Sequence, residues 1–176
     1  MENNLEKSPA ELVEPSEKYK TSYIEALREF KEFDNDQSID IEDQDKNFDL
    51  FLEKIENNKT LNEGGKVPDF QYWLVEGNKY IGGIKYRPIL NEALKFRGGN
   101  AGYKIRPSER NKGYASQMMQ EIIKKAKNDG LTELLMTCDS DNIASAKVIE
   151  KSGGILQSTD IDQKGTPFNR YIIKLG

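Results

Sequence analysis

Arg110-Asn111-Lys112-Gly113-Tyr114-Ala115 is the stretch that decides how this chain folds. Upstream, Ala101 to Arg106 reads as a strand. Downstream, Tyr114 to Asn128 reads as a helix with Ala115, Met118, Ile122, Ile123 and Ala126 turned inward at helical spacing. A glycine-containing turn between strand and helix leaves several backbone N–H groups unpaired and converging on one point. The helix macrodipole adds about half a positive charge there, so the turn suits an anion such as a pyrophosphate.

Working outward, Gly130 is a helix stop and the nearly continuous apolar run Leu131 to Cys138 reads as a buried strand. Asp141 or Asn142 caps a helix running to Lys151, which Gly153-Gly154 ends. Ile155–Thr159 and Arg170–Leu175 form a last hairpin around Lys164-Gly165. On the other side, Gln71–Glu76 and Lys79–Tyr86 are two strands joined at Gly77-Asn78, and Leu90 to Phe96 is a short helical turn before Gly98-Gly99. Glu11-Leu12-Val13 is a short strand. Tyr23, Ala26, Leu27 and Phe30 mark a helix over Tyr19 to Phe33, and Phe48, Phe51, Leu52 and Ile55 mark a second. Between these helices, residues 34–45 are acidic and read as a solvated loop, or as a collar that attracts a cationic amine. The mixture of helices and strands around a mixed sheet is an α/β layout, with one domain expected over 11–176 and a loose segment over 1–10.

The 176 residues suffice for one full core. A net charge of −4 argues against a general nucleic-acid binder. No apolar run approaches the roughly 20 residues of a membrane span, and residues 1–10 lack the apolar core of a signal peptide. A cytoplasmic protein is expected. The one cysteine, Cys138, permits no intramolecular disulfide and no multi-cysteine zinc site; a free cysteine ending an apolar strand reads as a buried side chain before it reads as an acyl-carrying nucleophile. The chain has no histidine, which removes Ser-His-Asp and Cys-His chemistry and His-ligated zinc. No G-x-x-x-x-G-K-[ST] is present, so a P-loop nucleotide enzyme finds no support.

Arg110-x-x-Gly113-x-Ala115 resembles the Gln/Arg-x-x-Gly-x-Gly/Ala acyl-CoA loop of the GNAT superfamily of N-acetyltransferases. The run Asn142-Ile-Ala-Ser145-Ala-Lys-Val148-Ile149-Glu150-Lys151-Ser-Gly153-Gly154 is similar to that superfamily's next helix, Asn-x-x-Ala-x-x-(apolar)-Tyr-Glu-Lys-x-Gly-Phe. Ile105-Arg106-Pro107 and the strand Leu134–Cys138 also stand where the family has them, and the similarity is strongest over 70–175. The resemblance implies a mostly antiparallel central sheet of about six to seven strands flanked by about four helices, splayed between its fourth and fifth strands, with acetyl-CoA as co-substrate and no metal. It implies that the backbone of Arg110, Asn111, Lys112, Gly113, Tyr114, Ala115 and Ser116 holds the pyrophosphate. Tyr103, Lys104 and Ile105 would pair with pantetheine as an added strand does. Asn142 and Ser145 would line the other side, with Lys112 and Lys147 near the phosphates. The implied activity is acetyl transfer to a primary amine of a small molecule or peptide, by a monomer or homodimer. The alternative is a non-catalytic acyl-CoA sensor.

Two departures stand out. Ile149 occupies the position where many relatives carry a tyrosine thought to protonate the departing thiolate, and Gly154 replaces the usual Phe. A thiol of pKa about 8.5 lies only ~1.5 units above neutrality, so the lost acid costs roughly 2 kcal/mol at most. Tyr103, Tyr114 and Tyr171 are the alternative donors. Deprotonating a lysine-like amine of pKa about 10.4 at pH 7 costs more, about 4.6 kcal/mol. With no histidine, a carboxylate is expected as base: Glu92, Glu76 and Asp139 are candidates by their expected nearness to the sheet's open end. A backbone N–H around Tyr103 to Ile105 would face the oxyanion, a contribution on the order of 3 kcal/mol. Trp73 and Tyr86 read as core, or as a wall of the acceptor pocket. Arg87 reads as half of a surface ion pair, or as a contact for an acidic substrate group.

Overall fold

Glu11–Val13 (β1) leads into Lys20–Phe33 (α1), whose Ile24, Leu27 and Phe30 recur every three or four residues and are all buried. The computed structural model of the chain describes residues 9–60 and 64–176, so most of the segment 1–10 lies outside the described residues. Next come Ile41–Lys46 (α2), Phe48–Asn57 (α3), Phe70–Glu76 (β2), Lys79–Tyr86 (β3), Glu92–Phe96 (α4) and Ala101–Ile105 (β4). The second half holds Tyr114–Asn128 (α5), Glu133–Asp139 (β5), Ile143–Lys151 (α6), Gly154–Ile161 (β6) and Pro167–Lys174 (β7). Among the described residues seven strands meet the expected count, and α2 adds a helix where the acidic stretch reads as loop. Asp40 is the reason: its carboxylate accepts from the Asp43 N–H at 3.0 Å and caps a turn that the charge pattern conceals. Ile39 and Ile41 anchor that turn against the aromatic core.

Every strand pairing is antiparallel. The strands form a four-stranded sheet in the order β1-β2-β3-β4 and a three-stranded sheet in the order β5-β7-β6. Helix α5 lays Met118, Met119, Ile122 and Ala126 on one side of this layer, in a core that takes Leu74, Ile84 and Ile105 from the first sheet and Leu134, Met136 and Tyr171 from the second. Helices α1 and α3 cover the opposite face of the first sheet with a second cluster built around Trp73, Val75 and Tyr80. Both Trp73 and Tyr86 are fully buried core residues.

The two sheets are joined at one end and open at the other. Buried Asn100, just before β4, makes the joint. Its backbone N–H donates to the Leu135 carbonyl at 2.8 Å, and its Oδ1 accepts from the Leu135 N–H at 2.8 Å. Its Nδ2 donates to the Arg87 carbonyl at 2.8 Å, while its own carbonyl accepts from Arg87 N–H at 2.7 Å. Gly99 (φ +66°) permits this approach, since a Cβ there would overlap the Leu135 carbonyl. Beyond Asn100, β4 pairs only with β3 and β5 only with β7, so two free strand edges diverge.

Candidate active site

A cleft of about 790 Å³ opens along the free edge of β4, between that edge and α6. It collects Tyr103, Lys104 and Ile105 of β4, then Arg110, Asn111, Gly113, Tyr114, Ala115 and Ser116 of the turn into α5, and Asn142, Ser145 and Lys147 of α6. Of the thirteen residues expected from sequence to hold the cofactor, Lys112 alone is not in the lining. Its ammonium instead donates to Glu109 at 2.9 Å. Asp34, Glu109, Ala144 and Val148 line the cleft without having been singled out in the sequence.

The turn is built to present donors. Asn111 (φ +63°) and Gly113 (φ +85°) are both left-handed, which coils the chain tightly into α5. Gly113 is the N-cap, and a glycine supplies no side chain to cap the helix itself. Among the described residues no protein acceptor takes the N–H groups of Gly113, Tyr114, Ala115 or Ser116; the first satisfied donor is Gln117, bonded to the Gly113 carbonyl at 3.1 Å. Four donors and a helix N-terminus therefore face the cleft.

Ion pairs hold the turn against α1. Arg110 binds Asp34 through two bonds of 2.8 and 2.7 Å and donates to the Ile105 carbonyl at 3.2 Å. Arg106 and the Ser108 N–H both donate to Glu29, at 2.7 and 3.0 Å. Buried Glu109 receives Lys79 and Lys112. These contacts set the pKa values. The Arg110 guanidinium, acting against a smaller effect of burial, holds Asp34 below its ordinary value. Burial pushes Glu29 and Glu109 up, but the Ser108 N–H and Arg106 outweigh it for the first, and the two lysines for the second, so both titrate low.

Along β4 the backbone alternates. The Asn100 carbonyl is bonded to Arg87, just after β3, and the Arg106 N–H to Ile81 of β3, which puts Tyr103 and Ile105 on the free edge. The Ile105 carbonyl is taken by Arg110; the Tyr103 backbone is left for an added strand. The Tyr103 hydroxyl is buried and makes no well-formed hydrogen bond to the described residues. Burial raises its pKa, and neighbouring Ser145 pulls it back only in part. Asn142 caps α6, its Oδ1 accepting from the Ser145 N–H at 3.0 Å. Ile149 is buried under α6, with its Cγ2 only 2.5 Å from where a Cβ of residue 154 would stand, which accounts for glycine at that position.

Glu92 is not brought to the cleft. It sits in the first turn of α4, 90% exposed at its side chain, paired with Lys95 at 2.7 Å. Asp139 is paired with Arg97 at 2.5 Å, and Glu76 accepts from Tyr114 at 3.4 Å. Tyr171 meets Glu150 at 3.4 Å. Arg87 pairs with Asp69 at 2.9 Å. Cys138 is half-buried, and burial, helped by Asp139 and Glu150, pushes its thiol up, which disfavours a thiolate nucleophile.

A second groove, of about 530 Å³, lies on the α1 face of the first sheet and meets the cleft at Tyr103 and Lys104. Gly83 and Gly102 form its floor, and Tyr23, Leu27, Phe30, Ile39 and Tyr80 its walls. The sequence carried a signal for it: glycines at 82, 83 and 102 inside two strand patterns mark a place where something approaches the backbone closely.

The GNAT acetyltransferase domain model matches residues 17–155. The chain belongs to the GNAT acetyltransferase family. No curated protein matches it by sequence. Several solved structures share the fold of this GNAT domain. One is the microcin self-immunity acetyltransferase MccE, solved with acetyl-CoA and AMP, at 17% identity and TM-score 0.68 over 94% of this chain and 92% of that one. Another is a Salmonella typhimurium acetyltransferase that modifies the N-terminal serine of a 50S ribosomal subunit protein, at 16% identity and TM-score 0.67 over 94% of both chains. A third is a spermidine N-acetyltransferase SpeG chimera from Vibrio cholerae and hSSAT, at 13% identity and TM-score 0.64 over 96% of both. At such identities the likeness establishes the GNAT fold, and the last two proteins act on different acceptors, a protein N-terminal serine and spermidine. Among the described residues no helix is long and apolar enough to cross a membrane, and no group of three or more carboxylate or cysteine side chains is arranged for a metal.

Proposed function

We propose that the chain transfers an acetyl group from acetyl-CoA to a primary amine of a small molecule or peptide, by direct attack on the thioester. One observation carries this reading: the cleft between the free edge of β4 and α6 ends on the unpaired N–H groups of Gly113 to Ser116. A pyrophosphate fits those donors, and the Tyr103 backbone offers the strand-like pairing that an extended pantetheine amide needs. The amine nitrogen attacks the carbonyl carbon, a C–N bond forms, the oxyanion collapses and the C–S bond breaks. The amine gives its proton to water, and the thiolate gains one.

Tyr103 is the residue we assign beside the leaving sulfur. A phenol with a raised pKa stays protonated at neutral pH, so it donates and cannot serve as the base. Its contribution is bounded at roughly 2 kcal/mol by the short pKa gap of the thiol. Glu92 is solvent-exposed and outside the cleft lining, so we assign that role to water. A non-catalytic acyl-CoA sensor remains the second reading, favoured by Ile149 where a tyrosine acid is usual. Calorimetric titration with acetyl-CoA and CoA, followed by thiol release over a panel of amines, separates them. Binding with turnover supports the transferase, binding alone supports the sensor, and no binding at millimolar ligand overturns both.

A further inference from the structure

The groove on the α1 face has an unbalanced polar end. Gly83 stands opposite Lys104, and Gly102 opposite Lys85, so two bare positions on adjacent strands leave a depression flanked by two lysines. Lys104 is already occupied: it pairs with Asp36 at 3.3 Å and lies over the Phe30 ring at 4.5 Å. Lys85 has no ion pair or hydrogen bond among the described residues, and neither has the side chain of Gln71, its cross-strand neighbour. The groove therefore offers an aromatic and aliphatic trough, walled by Tyr23, Phe30 and Tyr80, with a free cation and a free amide at one end. The Tyr103 side, where acetyl transfer would occur, bounds it at another.

The same groove lacks a strong base. Among the described residues Asp36 is the one carboxylate in its lining, and hydrogen bonds from Ser38 and Lys104 hold it below its ordinary value. An acceptor whose amine is already partly neutral is then favoured. The α-amine of a peptide, with a pKa of about 7.8, presents roughly 340-fold more neutral nitrogen at pH 7 than a lysine side chain at about 10.4. Polyamines carry alkyl amines of the second kind, and they would bring further positive charge toward Lys85.

We propose that the acceptor is the α-amine of a peptide N-terminus, with its first side chain in the Tyr23–Phe30–Tyr80 trough and a carboxylate at its second or third residue paired with Lys85. This assignment rests on the acetyl-transfer reading above. The same charge argument disfavours a lysine-rich acceptor and favours a peptide acidic near its N-terminus.

The test uses the full chain with saturating acetyl-CoA and follows thiol release. The panel holds an Ala-Glu peptide, its Ala-Gln counterpart, an N-acetylated peptide with one internal lysine, and spermidine. The expected order places Ala-Glu at least tenfold above Ala-Gln in kcat/KM, and the blocked lysine peptide and spermidine at least a hundredfold below Ala-Gln. Lys85→Gln is expected to erase the Glu-over-Gln difference, chiefly through KM, with acetyl-CoA affinity as the control for folding. Preference for spermidine or the blocked lysine peptide overturns the assignment, as does a Glu-over-Gln preference that survives Lys85→Gln. Acetyl-CoA binding with no thiol released from any member overturns the transfer reading itself, a result distinct from a wrong order within the panel.

Discussion

Asn100→Ala should cost this protein much more than an ordinary polar-to-alanine change. The substitution removes Oδ1 from the Leu135 N–H and Nδ2 from the Arg87 carbonyl, both at 2.8 Å, in a residue only 5% exposed. Each partner left unsatisfied costs about 1–3 kcal/mol, so a loss of about 3 kcal/mol is expected, allowing for partial rescue by water. In a chain of this size each kcal/mol moves the melting temperature by about 2–4 °C, giving a fall of roughly 6–12 °C. Asn100→Asp should not rescue it, because the Leu135 contact is kept while a carboxylate oxygen is set against the Arg87 carbonyl. Urea unfolding followed by Trp73 fluorescence measures the loss, with an unchanged m-value confirming that the denatured state is not the cause. The joint sets where the two sheets part, so acetyl-CoA affinity should fall as well at a temperature where the variant is fully folded. A loss below 1 kcal/mol would refute the reasoning and leave the packing of α5 as what holds the sheets together.

Further outcomes follow from the cleft and its ion pairs. Gly113→Val places a β-branched residue at φ +85°, where the backbone conformation disfavours any side chain by about 1–2 kcal/mol, so acetyl-CoA affinity measured by calorimetry should fall at least tenfold; unchanged affinity would mean the pyrophosphate sits elsewhere. Tyr103→Phe should lower kcat by up to about 30-fold, the equivalent of ~2 kcal/mol, with little change in the Kd of CoA; an unchanged kcat removes the hydroxyl from the reaction. Asp34, Glu29 and Glu109 all titrate below their ordinary values when folded, so their stabilisation is complete above the ordinary range near pH 4.5 and is lost as the pH falls through the lowered values. Urea midpoints at pH 7, 5, 4 and 3 should therefore hold between 7 and 5 and drop below 4, and Glu109→Gln should flatten that drop.

The elements that the sequence determined are those governed by neighbours a few residues apart. The strand, turn and helix around Gly113 were legible because periodicity and a left-handed glycine are local properties, and Asn142 was legible as a cap for the same reason. The assembly of twelve of the thirteen expected cofactor residues in one cleft follows from those elements once the fold brings them together. The short helix α2 was missed because acidic residues read as solvent-exposed loop as readily as they read as a first turn. Tertiary structure alone decided the rest. Arg110 meets Asp34 across 76 residues, and Asn100 meets Leu135 across 35, and no local pattern encodes either pairing. Glu92 was expected near the open end of the sheet, and the fold turns its carboxylate to solvent. The trough on the α1 face takes its lining from α1, the segment after it, and three strands, so its shape and its unpaired lysine exist only after long-range packing has placed them. A chain's turns and caps are set by contacts a few residues away, whereas the partner of a buried polar or charged group depends on which distant segment arrives beside it.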